Sequence, residues 1–184
     1  MFQLNEHIVY PGHGVALISD IVEKEVAGNK IQFLKLSFLF SDTTILVPTY
    51  NADKVGIRRL STPKDVDNVL KELAAAKNKK IDTIDFTPSG WNKRSKEYQT
   101  GIQGGDLLEI IHIYGDLMNI SQHKELSFGE KNILQLAEDL ICQEIQTVSK
   151  KDSEAVIRLL RAPFRQFSYQ GSETLKGDYT SVNM

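Results

Sequence analysis

The residue types best suited to contact a nucleic acid lie together in one short segment, Trp91-Asn92-Lys93-Arg94-Ser95-Lys96. This segment contains the single tryptophan of the chain, followed by three cationic side chains. An exposed indole can stack on an unpaired base or wedge into a minor groove, while neighbouring lysine and arginine side chains neutralise phosphates. The segment therefore indicates a local contact with nucleic acid.

A second interpretation of the same segment is purely structural. Tryptophan is highly buried on average, so Trp91 can instead pack between helices while the cations face solvent on the outer surface. The residues taken alone favour this second interpretation. The observation that separates the two is the exposure of the indole in the folded chain.

The sequence does not assemble catalytic or metal-binding chemistry elsewhere. Its four histidines are scattered, and none pairs with cysteine or carboxylate at metal-ligand spacing. The G-x-S-x-G nucleophile motif and the P-loop sequence are both absent. The run Gly101–Asp106 resembles part of a dinucleotide fingerprint, but helical sequence flanks it on both sides, which favours a helix break. We therefore expect a protein that is not an enzyme and has no cofactor. The histidines are His7, His13, His112 and His123.

Composition and charge limit the kind of partner. The chain has 184 residues, 41% of them apolar, and a formal net charge of -2. This is enough for a packed core but too neutral for a protein that coats nucleic acid by bulk electrostatics. Cys142 cannot form an intrachain disulfide, which suits a reducing compartment, and no signal peptide or membrane span is recognisable. We expect a cytoplasmic protein that does not enter a membrane.

Residues 1–60 have the periodicity of β-structure. Four or five short strands are predicted, with a period of two clearest in Ile31–Phe40 and turns at Pro11–Gly14 and Gly28-Asn29. So many short strands in so few residues favour a small, strongly bent antiparallel sheet or barrel. Modules of this kind commonly bind a partner.

Residues 61–163 change to helical periodicity, and about five helices are predicted. Residues 77–90 lose the apolar stripe and are predicted to form a loop, and residues 164–184 are predicted to form a loosely ordered tail. The fold class is therefore α+β, a β module followed by a helical module. Ser127 and Glu130 are predicted to form a capping box at the start of the fourth helix, and the third helix is predicted to end at Met118. The predicted helix starts are Thr62, Ser89 or Gly90, Asp106, Ser127 and about Asp152, and the last helix ends at Pro163.

A series of short motifs resembles, in order and approximate spacing, the CarD family of transcription regulators, also called CdnL. The resemblance covers about residues 2–150. In the β module the motifs are Val9-Tyr10-Pro11, His13-Gly14-Val15, Val47-Pro48 and Val55-Gly56-Ile57-Arg58. In the helical module they are Trp91, Arg94, Tyr98, Gly105-Asp106, Asp116-Leu117, Leu126-Ser127 and Gly129-Glu130-Lys131.

The resemblance implies a Tudor-like β module that docks on the RNA polymerase β subunit. It also implies a helical module that touches promoter DNA at the upstream edge of the transcription bubble, where the family's tryptophan wedges into the minor groove. If the role of the family's tryptophan is transferred to this chain, Trp91 is the residue that wedges into the minor groove. The corresponding phosphate contacts are Lys93, Arg94, Lys96 and Lys131, and the corresponding polymerase contacts are Lys24, Leu46 and Pro48.

Three features depart from the family pattern. Asn5-Glu6-His7 stands where many members have Gly-Asp before the Val-Tyr-Pro strand. Leu46 stands where the family often has an arginine, two residues before the strand-ending proline, although Lys24 keeps a basic residue in the second hairpin. Gly115 stands where an arginine is common, and a glycine there is expected to destabilise a helix by about 1 kcal/mol relative to alanine.

Three functions remain open at this stage. The first is a monomeric transcription regulator that binds open promoter DNA more tightly than closed DNA and so stabilises the open complex. The second is a protein-only adaptor on RNA polymerase, which a buried Trp91 would favour. The third, an enzyme of unrecognised type, is the least favoured because no constellation of titratable residues was found.

Overall fold

The structure is a computed structural model that describes residues 2–76 and 84–164. Within them a five-stranded antiparallel sheet precedes five α-helices, which confirms the α+β class and the order of the modules. Apart from Phe164, the predicted tail lies outside the described residues. The strands are β1 (His7–Tyr10), β2 (Gly14–Val26), β3 (Asn29–Phe38), β4 (Thr44–Pro48) and β5 (Arg58–Arg59). The helices are α1 (Pro63–Ala76), α2 (Pro88–Gly104), α3 (Leu107–Ser121), α4 (Phe128–Ser149) and α5 (Ser153–Arg161).

The sheet has the strand order β4-β3-β2-β1-β5, so that β5 returns to pair with β1 and closes one side of the module. The β2–β3 hairpin turns through Ala27 and Gly28, whose φ angles of 51° and 79° are typical of a two-residue type I′ turn. Strand β3 ends at Phe38, two residues before the predicted Phe40, because the Phe38 amide donates to the Thr43 carbonyl and starts the next turn. The alternating apolar pattern runs past the true strand end.

Helix α3 lies at the centre of the helical module and contacts α1, α2 and α4. It continues to Ser121, beyond the predicted Met118, since Ile120 is buried in the core. Gly115 is buried facing α1, where a Cβ would lie 3.4 Å from the side chains of both Leu73 and Ala76. An alanine would therefore fit in contact with α1, whereas the arginine common in the family would not.

Helix α2 begins at Pro88, so the end of the predicted loop 77–90 is wrong, and residues 77–83 lie outside the described residues. Thr87 caps the helix by accepting a hydrogen bond from the Gly90 amide at 3.1 Å, and proline fits the first helical position. At the other end Gly105 has a φ of 73° and terminates α2, and Asp106 caps α3. The Gly101–Asp106 run is thus a helix break, as predicted.

Helix α4 connects three parts of the molecule through buried glutamates. Glu138 accepts hydrogen bonds from the Tyr114 hydroxyl and the Arg161 guanidinium, each at 2.9 Å, and so ties α4 to α3 and α5. Glu130 faces the start of α2, and Glu144 faces the β module. In the described ranges no helix has the length and apolarity required to cross a membrane.

Candidate functional site

Trp91 lies in the first turn of α2, where its amide donates to the Thr87 carbonyl at 2.9 Å. Its side chain is partly buried and packs against the core of the helical module. One edge of the indole faces the first turn of α4, because a Cβ added at Gly129 would lie 2.9 Å from the indole Cζ2. The indole is therefore neither free in solvent nor enclosed between helices, and it keeps an accessible part at the surface.

Two phenylalanines extend the apolar surface at this end of the molecule. Phe128 is the residue before Gly129, and it is 81% exposed, the highest value among the large apolar side chains described. Phe86, just before α2, is 47% exposed. Sequence reasoning missed both residues. For Phe128 a signal was available: it precedes the apolar stripe of α4, and a position outside the stripe is expected to be exposed.

Arg94 lies one turn after Trp91, with a side chain that is only 16% exposed. Its guanidinium carbon lies 5.9 Å from the ring centroids of both Trp91 and Phe86, within reach of cation–π attraction. Its Nη1 donates to the Asp85 carbonyl, and its Nη2 lies 3.6 Å from Glu130 Oε1. The Nε atom is buried without a hydrogen-bond partner among the described residues. Most of the arginine is thus engaged inside the protein.

Glu130 is the buried anion beneath these groups. It completes the predicted capping box by accepting from the Ser127 amide at 2.8 Å, and it accepts from Lys124 Nζ at 2.6 Å. Burial opposes ionisation, but the hydrogen bonds from Lys124 and Ser127 outweigh it, and the pKa of Glu130 lies below its usual value. We call Phe86, Trp91, Arg94, Lys124 and Glu130 the aromatic–cation cluster.

The three predicted lysine contacts border this cluster. Lys93 and Lys96 are exposed on α2, one turn apart. Lys131 is also exposed, and its Nζ lies 2.8 Å from the exposed carboxylate of Glu125. A surface pair of this kind is worth at most about 1 kcal/mol, so a phosphate could replace the carboxylate at small cost.

The predicted polymerase contacts share one face of the sheet. Directly paired residues of antiparallel strands point to the same side, and the register pairs Ile31 with Lys24, Phe33 with Pro48, and Lys35 with Leu46. Since Ile31, Phe33 and Lys35 alternate along β3, all three predicted contacts project from the side opposite the core residues Leu34 and Leu36. We call this side the outer face of β2–β4; it includes the edge strand β4. Its residues are Val22, Lys24, Ile31, Phe33, Lys35, Leu46 and Pro48, with Asp20 at one end.

His13 and Cys142 have local contacts. His13 Nδ1 lies 3.0 Å from the Pro11 carbonyl, and its ring packs edge-on against Tyr10. Cys142 is buried, which raises the pKa of its thiol. Across residues 2–76 and 84–164 there is no group of three or more histidine, cysteine or acidic residues that could hold a metal ion.

Comparison with known proteins assigns both modules. Residues 2–61 match the family model described as "CarD-like/TRCF RID domain", and residues 82–161 match the one described as "CarD, C-terminal domain". A protein of Bacillus subtilis (strain 168), "Putative transcription factor YdeB", is 26% identical over 148 residues, which are 80% of this chain and 92% of that protein. These matches support a role in transcription through interaction with RNA polymerase. With the β module and the helical module both matched in order, the chain belongs to the CarD/CdnL family of transcription regulators.

Proposed function

We propose that this protein holds RNA polymerase on opened promoter DNA. The β module binds the polymerase β subunit, and the helical module contacts the minor groove at the upstream edge of the bubble through Trp91. The protein acts as a monomer in the bacterial cytoplasm, by binding and without catalysis. A protein that binds the open promoter more tightly than the closed one shifts the equilibrium between them by its difference in binding free energy.

The observation that carries the proposal is the surface at the start of α2 and α4. The partly exposed Trp91 packs with one indole edge against Gly129, whose neighbour Phe128 is highly exposed, so the surface presents apolar groups of the kind that wedge between bases. Lys93, Lys96 and Lys131 provide cations for the adjoining phosphates. Arg94 contributes less to phosphate binding than the three lysines, since Glu130 and the Asp85 carbonyl already engage it.

The outer face of β2–β4 is the proposed docking surface for the polymerase. Its central residues Phe33 and Pro48 are apolar and partly buried, and Lys24 and Lys35 flank them. Edge strand β4 offers unpaired backbone groups to an extended segment of a partner. Leu46 replaces the arginine common in the family, so apolar contact supplies part of the affinity here. Lys24→Glu should weaken binding to a purified β-subunit fragment, whereas Lys151→Glu, on an exposed loop, should not.

The decisive experiment measures the lifetime of open complexes formed by the cognate polymerase on a promoter fragment. Addition of the protein should lengthen this lifetime, and Trp91→Ala should abolish most of the increase while binding to polymerase persists. Leu159→Ala, which truncates an exposed leucine of α5, is the matched control and should behave as wild type. An unchanged lifetime, with the protein bound to polymerase, would contradict the proposal.

The lysine side chains have a separate signature in the salt dependence of DNA binding. Removal of one cation that binds a phosphate reduces the slope of log K against log salt by about 1. Lys93→Gln and Lys96→Gln should each reduce the slope by about this amount, while Arg94→Gln should change it less. If all three variants have the same slope as wild type, these side chains do not bind DNA phosphates.

A protein-only adaptor is the second candidate. It is favoured by the partial burial of Trp91 and by the carboxylates of the same chain that already pair with Arg94 and Lys131. Site-specific crosslinking from position 128 separates the two candidates. A crosslink to promoter DNA in the open complex supports the regulator, and a crosslink to protein alone supports the adaptor.

A further inference from the structure

Several motifs of the sequence have no part in the DNA or polymerase surfaces described above. They are His13-Gly14-Val15, Gly56 to Arg58 and Gly105. In the structure they meet where the β module contacts the helical module, together with Gln143 and Glu144 of α4. We call this contact region the module junction.

Arg58 and Glu144 form the centre of the module junction. The guanidinium donates from both Nη atoms to the two carboxylate oxygens of Glu144, each at 2.7 Å. Its Nε donates to the Gly105 carbonyl at 2.7 Å, which adds the end of α2 to the same network. Glu144 is 3% exposed, and it also accepts from the amide and hydroxyl of Ser61 at 2.9 and 2.7 Å. A bidentate pair with these additional bonds is directional and has a fixed geometry.

Close backbone contacts supply two further attachments. The Val15 amide donates to Gln143 Oε1 at 3.2 Å, and a Cβ at Gly14 would lie 1.9 Å from that oxygen. Pro11 packs onto Gly105, where a Cβ would lie 2.9 Å from the proline Cγ. These glycines allow the two modules to approach more closely than any other residue would.

We infer that Arg58 and Glu144 are positioning residues that fix the angle between the two modules. Only Leu60, Ser61 and Thr62 connect β5 to α1. Such a short connection limits distance but leaves rotation possible, whereas attachments at Glu144, Gln143 and Gly105 resist rotation. The inference rests on the proposed function in one respect. When the outer face of β2–β4 is docked on polymerase, a fixed angle between the modules directs Trp91 to one place on the DNA.

The first test uses the full chain without polymerase or DNA. Spin labels are placed at Lys30→Cys in the β2–β3 hairpin and at Asn132→Cys in α4, with Cys142→Ser, and double electron–electron resonance gives the distance distribution. A single narrow distribution is expected for the parent protein, and a broad one for Arg58→Gln/Glu144→Gln. The control Glu154→Gln/Arg158→Gln removes an exposed ion pair of α5 and should leave the distribution narrow. An unchanged distribution in the junction variant would overturn the inference.

A milder variant keeps the test valid if the double variant does not fold. Gln143→Ala with Ser61→Ala removes two hydrogen bonds of the junction without leaving a new buried charge, and it should also broaden the distribution. Circular dichroism and the fluorescence of Trp91 report whether each variant is folded.

The second test connects the junction to function. The junction variant should bind the β-subunit fragment within twofold of wild type, yet the increase in open-complex lifetime should be at least fivefold smaller. If the parent protein does not lengthen the lifetime, the proposed function fails, but the resonance result still decides the positioning role. A broad distribution with full activity would support the positioning role but overturn the claim that the fixed angle is needed to direct Trp91.

Discussion

The two ends of α4 each place a buried glutamate against an arginine, but the two networks differ in completeness. At the C-terminal end, Glu144 accepts four hydrogen bonds of 2.7 to 2.9 Å, and Arg58 is paired on both Nη atoms and on Nε. At the N-terminal end, Arg94 lies 3.6 Å from Glu130, and its Nε lacks a hydrogen-bond partner among the described residues. The exposed side chains of Phe86 and Phe128 lie beside the second network.

This difference separates a structural contact from a binding surface. A buried polar network whose members are all satisfied fixes one geometry, because any movement leaves a polar group unpaired. The second network leaves one buried donor unpaired and lies beside exposed apolar groups that a partner can reach. On this comparison we propose that the module junction serves orientation and that the surface at the aromatic–cation cluster serves recognition.

The largest expected effect is on stability at the module junction. Glu144→Ala leaves Arg58 and the Ser61 amide without their acceptor, and it should lower the free energy of unfolding by about 3 kcal/mol. Urea denaturation at neutral pH measures this decrease. Glu154→Ala, in the exposed pair with Arg158, should change stability by less than about 0.5 kcal/mol. If Glu144→Ala lowers the free energy of unfolding by less than about 1 kcal/mol, the network at Glu144 is not more stabilising than the one at Glu130.

A smaller decrease is expected at the aromatic–cation cluster. Arg94→Gln should cost about 1 to 2 kcal/mol, because Glu130 keeps its hydrogen bonds from Lys124 and Ser127. The same urea experiment measures it. If Arg94→Gln proves as costly as Glu144→Ala, both networks are structural and Arg94 has no spare capacity for a partner.

The pH dependence of stability tests whether Glu130 is held ionised. Its pKa in the folded protein lies below the ordinary 4.5, so its ionised form stabilises the fold above that pH. This contribution disappears as the pH falls through the folded-state pKa. The stability of wild type should therefore decline more steeply below pH 4.5 than that of Glu130→Gln, as measured by urea midpoints from about pH 7 to about pH 3. Parallel curves would show that Glu130 contributes no such dependence.

The smallest effect on stability is expected at Gly129. A Cβ there would lie 2.9 Å from the indole, so Gly129→Ala should displace Trp91 and shift its fluorescence emission. Alanine favours the helix by up to about 1 kcal/mol relative to glycine, which offsets part of the clash, so net stability should change by about 1 kcal/mol or less. Gly104→Ala is the matched control, since its Cβ would lie 3.6 Å from the nearest atom. An unshifted emission would mean that the indole does not rest on this turn.

Local signals in the sequence predicted the elements that carry the site. The turn at Pro11–Gly14, the caps at Thr62, Asp106 and Asp152, and the capping box at Ser127 are confirmed, because each depends on residues a few positions apart. The predicted hairpin turn at Gly28-Asn29 is wrong by one residue, since Asn29 already pairs with Val26 and the turn is formed by Ala27 and Gly28. The same signals placed the start of α2 late, since Thr87 was not recognised as its cap. Contacts between residues far apart in the chain could not be predicted in this way, because no short sequence motif marks them.

By itself, the sequence determined the order of a β module and a helical module, the position of Trp91 at a helix start, and the resemblance to the CarD family. Only the tertiary structure decided that Glu130, Glu138 and Glu144 are buried, and that glycines at positions 14, 105 and 129 admit close neighbours. A glutamate on a helix is usually solvated. The capping box predicted the bond between Glu130 and Ser127 but not the burial of Glu130, and nothing nearby in the sequence marks Glu138 or Glu144. Each has an arginine partner more than 20 residues away, so its burial is a property of the packed molecule.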